Sequence, residues 1–159
     1  LLDCIMVSYV LRSRNVCFPT LESNFRIPLI RHIIRLLGAI PIPESKQGFK
    51  RFMEATRKWV QNGNLLHYYP EVVLHPYYQG IRGFKRGAFL TACETGVPVL
   101  PMVISYRQPG GLIGILKRRP CLTLKILPPV YPAESANKRQ QTVELMDTVY
   151  DRMNTAYWN

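Results

Sequence analysis

The chain of 159 residues is long enough to bury most of its apolar surface around one core, and its apolar fraction of 47% excludes an intrinsically disordered protein. Its 21 basic residues outnumber the 10 acidic ones and give a formal net charge of +11, so we expect an anionic partner. Nucleic acid and anionic lipid are the two candidates. The basic residues are interleaved with long apolar runs and no nucleic-acid-binding motif is present, which favours a phosphate-bearing lipid.

The cysteines do not indicate a metal or redox site. None belongs to a Cys-x-x-Cys pair, and they lie far apart, at Cys4, Cys17, Cys93 and Cys121. We therefore predict reduced thiols, no metal and no resident cofactor. No apolar run reaches the roughly 18 residues of a membrane-spanning helix, and no signal peptide is visible. Because the chain opens on Leu1 rather than Met, we expect that the N-terminal part of a longer protein is missing.

The first half of the chain alternates predicted helices with short extended segments. Apolar residues at helical spacing predict helices over residues 1–11, 27–37 and 46–61. A short strand over 16–18 is expected to end at Pro19. The segment 39–43 contains two prolines, which cannot donate to a ladder, so we expect it at the edge of a sheet.

The second half continues the alternation. Helices are predicted over residues 84–95 and 136–157, and strands over 65–69, 97–106 and 121–127. The strand 97–106 is almost entirely apolar, which is typical of a central strand covered on both faces. The whole pattern predicts an α/β fold with a mixed, largely parallel central sheet flanked by helices, and residues 1–159 as a single domain.

The predicted helix 27–37 is amphipathic. Its apolar residues fall on one side, and Arg31, His32 and Arg35 fall on the other. Such a helix either packs its apolar side into the core or lies in the headgroup layer of a membrane. Both alternatives stay open at this point.

Charged residues surround the loop that follows the third predicted strand. Glu71 stands at the strand end, and the first turn of the next helix is preceded by Arg82 and contains Lys85, Arg86 and Gly87. Free backbone N–H groups and the helix dipole favour an anion at such a start, and neighbouring cations complete a phosphate cradle. The alternative is a solvated basic turn that binds no ligand.

Three motifs follow one another in this region: Pro-Glu at 70–71, Phe-Lys-Arg-Gly at 84–87 and Val-Pro-Val-Leu-Pro at 97–101. Their order and spacing resemble those of the third and fourth sequence blocks of the glycerolipid acyltransferases. These enzymes acylate lysophosphatidic acid or glycerol 3-phosphate. The His-Pro-Tyr-Tyr segment at 75–78 is similar to the segment found at this place in a bacterial subgroup of the family. The resemblance runs from Asp3 to about Pro132 and implies a glycerol-3-phosphate acyltransferase-like fold.

The resemblance also implies roles for these residues. Lys85 and Arg86, together with Arg82 and the helix start at Gly87, would bind the phosphate of the acceptor. Glu71 would position its glycerol. The sequence departs from the family pattern at three positions, where Val72 replaces a glycine and Leu74 and Glu44 each replace an arginine.

The first family block is the catalytic one and consists of a histidine, four intervening residues and an aspartate. The histidine is the general base, and the aspartate orients it. Asp3 resembles this aspartate, which places the histidine upstream of residue 1. No Asp follows His32, His67 or His75 at that spacing. We therefore expect the 159 residues alone to be inactive.

The implied reaction is transfer of a fatty acyl group from acyl-CoA or acyl carrier protein to 1-acylglycerol 3-phosphate, which makes phosphatidic acid in phospholipid synthesis. The implied location is peripheral, on the cytoplasmic face of the cell membrane. Two alternatives remain. One is a non-catalytic module that binds anionic lipid or phosphate, and the other, supported by charge alone, is a nucleic-acid-binding module.

Overall fold

The structure is a computed structural model that describes residues 6–7, 9–12, 14–71, 78, 80–107, 120–134 and 137–159. The chain divides into two compact units, Leu1–Tyr69 and Pro70–Asn159. The assignment of residues 1–159 to one domain stays a prediction.

The first unit contains a parallel three-stranded sheet. Its strands are β1 (Val16–Leu21), β2 (Ala39–Ile42) and β3 (Leu65–Leu66), in the spatial order β2-β1-β3. Phe18 pairs with Ala39, and Val16 pairs with Leu65. Parallel neighbours need a crossover connection, and helices supply both crossovers. They are α1 (Pro28–Leu36) and α2 (Lys46–Gln61), with a short 3-10 helix (Glu22–Arg26) before α1.

The central strand β1 runs through Pro19, so the predicted strand end at this residue is wrong. The Phe18 N–H donates to the Gly38 carbonyl on the β2 side at 3.0 Å, whereas the Cys17 carbonyl accepts from His67 on the β3 side at 2.8 Å. The backbone groups of successive residues point towards opposite neighbouring strands. The nitrogen of Pro19 therefore faces the β3 side. There β3 has already ended, and the missing N–H removes no ladder hydrogen bond.

Helix α2 has the predicted bounds because both of its ends are marked in the sequence. At its start the Ser45 side chain accepts a hydrogen bond from the Gly48 N–H at 3.1 Å. Beyond its end Gly63 adopts a φ of +77°. The Trp59 indole N–H then donates to the Leu65 carbonyl at 3.0 Å, which fixes the helix against β3.

The turn between α1 and β2 requires glycine. Gly38 has a φ of +81°, and a Cβ at this position would lie 2.8 Å from the carbonyl oxygen of Val16. A side chain would therefore meet both backbone strain and a clash with β1. This close approach is what allows the chain to leave α1 and pair directly with the central strand.

In its described residues, the second unit packs two helices and a pair of strands around one core. The elements are α3 (Gly87–Thr95), β4 (Met102–Arg107), β5 (Cys121–Ile126) and α4 (Lys138–Trp158). β4 and β5 pair antiparallel. The buried core comes mainly from α3 and α4 and consists of Phe89, Ala92, Cys93, Val130, Leu145 and Val149. Contact between these two helices thus positions the start of α3.

The predicted central strand 97–106 is wrong in two respects. The ladder begins only at β4, since the two prolines before it cannot donate hydrogen bonds. Ahead of β4, Val99 and Val130 form an isolated antiparallel bridge, with N–H···O distances of 2.9 and 2.8 Å. The strand is also not covered on both faces, because Tyr106 is 69% exposed.

The predicted fold class is confirmed. The structure is mixed α/β, and its parallel sheet is flanked by helices. In the described residues the antiparallel strands form a small sheet of their own. Among the helices that the structure describes, none is long and apolar enough to cross a membrane.

Candidate functional site

The candidate site lies in the second unit, at the loop that leads from the Pro70-Glu71 turn to α3. Two hydrogen bonds close this loop. The Lys85 N–H donates to the Pro70 carbonyl at 2.8 Å, and the Arg82 backbone N–H donates to the Glu71 carboxylate. The two ends of the loop are therefore held together, although they are more than ten residues apart in the sequence.

Aromatic packing fixes the segment that carries Arg82. The ring of Phe84 stacks on Phe89 with centroids 5.8 Å apart and meets the edge of Tyr150 at 5.2 Å. The Tyr150 hydroxyl also donates to the carbonyl of Ile81, which is buried, at 3.3 Å. The backbone on both sides of Arg82 is thus anchored to the core, so its side chain extends from a fixed base.

The guanidinium of Arg82 is partly buried and incompletely hydrogen-bonded. Its Nη1 is shielded from solvent and finds no acceptor among the described residues. Its Cζ lies 6.0 Å from the centroid of the Tyr78 ring, at the outer limit of a cation–π contact. A desolvated charged donor without an acceptor is costly, and an anionic oxygen is the partner that would remove this cost.

Burial raises the pKa of the Glu71 carboxyl group, because the ionised form loses solvation. The Arg82 backbone N–H and its positive charge oppose this shift, but burial is the larger effect. One carboxylate oxygen can accept the backbone bond while the other accepts from a hydroxyl group. Glu71 is therefore suited to orient a polyol.

The start of α3 presents positive charge and backbone N–H groups that the helix ladder does not use. Lys85, Arg86 and Gly87 are exposed, and Arg86, which precedes the first helical residue, makes no side-chain cap. The first internal helix bond is from the Leu90 N–H to the Arg86 carbonyl at 2.9 Å. The N–H groups of the preceding turn are thus not used by the helix ladder, and this is the arrangement that binds anions at helix starts.

The structure brings some of the predicted site residues together. Glu71 and Arg82 are in contact through a hydrogen bond. Lys85, which precedes Arg86, makes the second hydrogen bond that closes the loop. The predicted helix start was wrong by three residues, since α3 begins at Gly87. Asp3 lies outside the described residues, as do Val72 and Leu74. The roles assigned to all of these residues stay predictions.

Sequence reasoning missed the two tyrosines of the site. Tyr150 falls within the predicted helix 136–157, and its position there does not reveal that its hydroxyl reaches Ile81. Tyr78 was part of the His-Pro-Tyr-Tyr segment, but nothing in the sequence connects it with Arg82. Both contacts join residues through the tertiary fold, so no local pattern could have indicated them.

Neither metal nor thiol chemistry gains support at this site. In the part of the chain that the structure describes, no group of three or more His, Cys, Asp or Glu side chains could hold a metal ion. Three described cysteines form no disulfide, namely Cys17, Cys93 and Cys121. Burial raises the pKa of Cys17 and of Cys93, which disfavours the reactive thiolate.

A protein-family model described as Acyltransferase matches residues 1–105, which is well over half of the chain. The chain belongs to the Acyltransferase family. The resemblance seen in the order of its sequence motifs is thereby confirmed. The matched region contains every candidate residue of the site, from Asp3 to Gly87.

The acyltransferase fold is similar to the crystal structure of the 1-acyl-sn-glycerophosphate (LPA) acyltransferase, PlsC, from Thermotoga maritima. The TM-score is 0.53 and the sequence identity is 22%, so the likeness concerns the fold. The similarity covers 88% of this chain but 56% of that protein, and the chain thus spans little more than half of its length. No curated protein matches the sequence significantly.

The buried carboxylate of the site predicts a pH dependence of folding. The folded state holds the proton of Glu71 more tightly than the unfolded chain does, where its pKa is near 4.5. The protonated Glu71 side chain therefore contributes its full stabilisation below pH 4.5. This contribution to the free energy of unfolding is lost as the pH rises through the raised pKa. Relative to a Glu71→Gln variant, the wild-type chain should lose free energy of unfolding from pH 4.5 upwards and then level off.

Chemical denaturation across this pH range provides the measurement. Glu44→Gln, at an exposed position beyond β2, controls for the removal of one acidic group. A wild-type free energy of unfolding that rises with pH relative to Glu71→Gln would show that Arg82 outweighs burial and would contradict the assignment.

Proposed function

We propose that this acyltransferase transfers a fatty acyl group from acyl-CoA or acyl carrier protein to 1-acylglycerol 3-phosphate, at the cytoplasmic face of the membrane. The product is phosphatidic acid, an intermediate of phospholipid synthesis. The observation that carries the proposal is the buried Nη1 of Arg82, which lacks an acceptor among the described residues and lies beside the closed loop. The family and the fold likeness support the same chemistry.

The proposed recognition of the acceptor divides between charge and hydrogen bonding. Arg82 supplies a fixed guanidinium for the phosphate, while Lys85 and Arg86 supply mobile cations at the start of α3. The unused N–H groups of that helix add directed donors. Glu71 accepts from a glycerol hydroxyl, which orients the acceptor without neutralising its phosphate.

The proposed reaction is a direct transfer. The free hydroxyl of the acceptor attacks the thioester carbonyl, a C–O bond forms, and the C–S bond breaks to release the donor as a thiol. A histidine removes the hydroxyl proton and returns it to the departing sulfur, and Asp3 orients that histidine. The 159 residues contain no histidine at the required spacing before an aspartate.

The second candidate is a non-catalytic module that binds anionic lipid or phosphate. It is favoured by Val72 at the glycine position of the third block. A turnover assay with acyl-CoA distinguishes the two. Adding a segment that places a histidine five positions before Asp3 should raise the rate by roughly 100- to 10,000-fold if the chain is catalytic. An unchanged rate in a folded protein would leave the binding module as the function.

Binding of the acceptor should depend on the cations of the site. We expect Arg82→Gln, and separately Lys85→Ala with Arg86→Ala, to weaken binding of a short-chain, soluble 1-acylglycerol 3-phosphate by roughly 10- to 100-fold, since each removes charge-assisted hydrogen bonds. Isothermal titration calorimetry provides the measurement. Arg139→Ala with Arg152→Ala removes two exposed charges from α4 and should leave the affinity unchanged.

Nucleic-acid binding is the competing outcome of this experiment. A duplex-binding protein would bind DNA with an affinity that falls steeply with salt, because many phosphate contacts contribute at once. Tight DNA binding of this kind, unaffected by the changes at Arg82, Lys85 and Arg86, would contradict the lipid function.

Gly87 offers a test that separates binding from folding. A Cβ at Gly87 meets no atom within 4 Å, and its φ is not positive, so Gly87→Ala should leave stability unchanged. If a phosphate approaches the first N–H groups of α3, the added methyl group should weaken its binding several-fold. Gly83→Ala is the matched control, because Gly83 has equally free surroundings and lies outside the helix. Equal affinities for both variants would rule out a phosphate at this helix start.

A further inference from the structure

Helix α1 exposes a large part of its apolar side. Leu29 and Leu36 are 76% and 88% exposed, and Ile30 and Ile33 are 39% and 42% exposed. None of the residues of α1 is buried. At about 100° per residue these four side chains share one side of the helix, called here the apolar face of α1. Ile34 and the adjoining Leu37 are half-buried instead, so α1 packs inwards with these two residues and leaves the apolar face exposed.

The opposite side of α1 is basic and carries no carboxylate. Arg31, His32 and Arg35 are all exposed there, and Arg26 precedes the helix. The guanidinium of Arg35 lies over the ring of Phe25, with 5.8 Å between Cζ and the ring centroid. This contact joins α1 to the preceding 3-10 helix.

We propose that α1 is an interfacial helix that docks on an anionic phospholipid bilayer, with its apolar face in the acyl boundary and its arginines at the lipid phosphates. The inference rests on the proposed function in one respect, because a lipid acceptor lies in a bilayer. It adds which surface of the chain makes the contact. Phosphate binding by Arg82 is a separate event in the other unit.

The composition of α1 favours a bilayer over a protein partner. Its apolar face consists of aliphatic side chains only, whereas the anchors of protein interfaces are mostly Trp, Tyr and Arg in desolvated pockets. Arginines opposite an aliphatic stripe are typical of helices that lie in the headgroup layer. The absence of acidic residues from α1 and the net charge of +11 also match the negative potential of anionic lipid.

The apolar contribution can be measured by co-sedimentation with phosphatidylglycerol vesicles that contain no lysophospholipid. Leu29→Ser with Leu36→Ser should lower the partition coefficient about ten-fold, since two inserted side chains are lost. Leu100→Ser with Leu122→Ser is the matched control, because these leucines are also exposed but lie outside α1. The control should bind as the wild type does, and circular dichroism should show that both variants are folded.

The electrostatic contribution is measured in the same assay. Arg31→Gln with Arg35→Gln should weaken binding to phosphatidylglycerol about ten-fold and leave the weak binding to phosphatidylcholine unchanged. Added salt should reduce the difference. Arg139→Gln with Arg152→Gln removes the same charge from exposed positions of α4 and should have a smaller effect.

Several results would overturn the inference. Equal vesicle binding by the α1 variants and their controls would show that α1 does not contact lipid. Sedimentation of the wild type as a dimer that Leu29→Ser with Leu36→Ser dissociates would identify the face as an interface between copies. The Arg82→Gln variant separates this inference from the proposed function: it should bind vesicles normally while losing soluble lysophosphatidic acid. A negative result for vesicle binding would therefore not contradict lysophosphatidic acid binding at Arg82, and the reverse also holds.

Discussion

Two backbone donors hold the candidate site together: the N–H groups of Arg82 and Lys85 bind the Glu71 carboxylate and the Pro70 carbonyl. The bonds bring residues 82–85 back beside residues 70–71 just before α3 begins. Packing of Phe84 against the core then fixes the direction in which the following residues leave. Loss of this closure would separate the carboxylate from the guanidinium and free the start of α3 from its anchor, so every proposed contact with a phosphate depends on it.

The site combines features that reduce stability with features that suit an anionic ligand. The fold holds Glu71 in surroundings that penalise its charge, and it shields one nitrogen of Arg82 that has no acceptor in the described structure. Groups of this kind are expected at functional sites, where a ligand supplies the missing interaction. Helix α1 shows the same pattern on a larger scale, because its exposed aliphatic face is costly in water and favourable in a bilayer.

Local signals in the sequence predicted the elements that are determined locally. The bounds of α2 follow from a capping serine and a glycine turn, and β2 lies at a sheet edge because it contains a proline. The strand 97–106 and the end of β1 were wrong, because the effect of a proline depends on which neighbour its nitrogen faces. The motifs around Glu71 and Arg82 indicated the family, but the hydrogen bond between these residues depends on the tertiary fold. No local spacing encodes such a contact.

The central claim is that Arg82 recognises the phosphate of a lysophospholipid, and a thermodynamic cycle tests it most directly. Binding of a short-chain 1-acylglycerol 3-phosphate is compared with that of the corresponding monoacylglycerol, which lacks the phosphate, in the wild-type chain and in Arg82→Gln. The account predicts that the wild type binds the phosphorylated ligand more tightly than monoacylglycerol. In the variant the ratio of these two affinities should fall at least about ten-fold, while the affinity for monoacylglycerol stays the same. A preference of the same size in both proteins would contradict it.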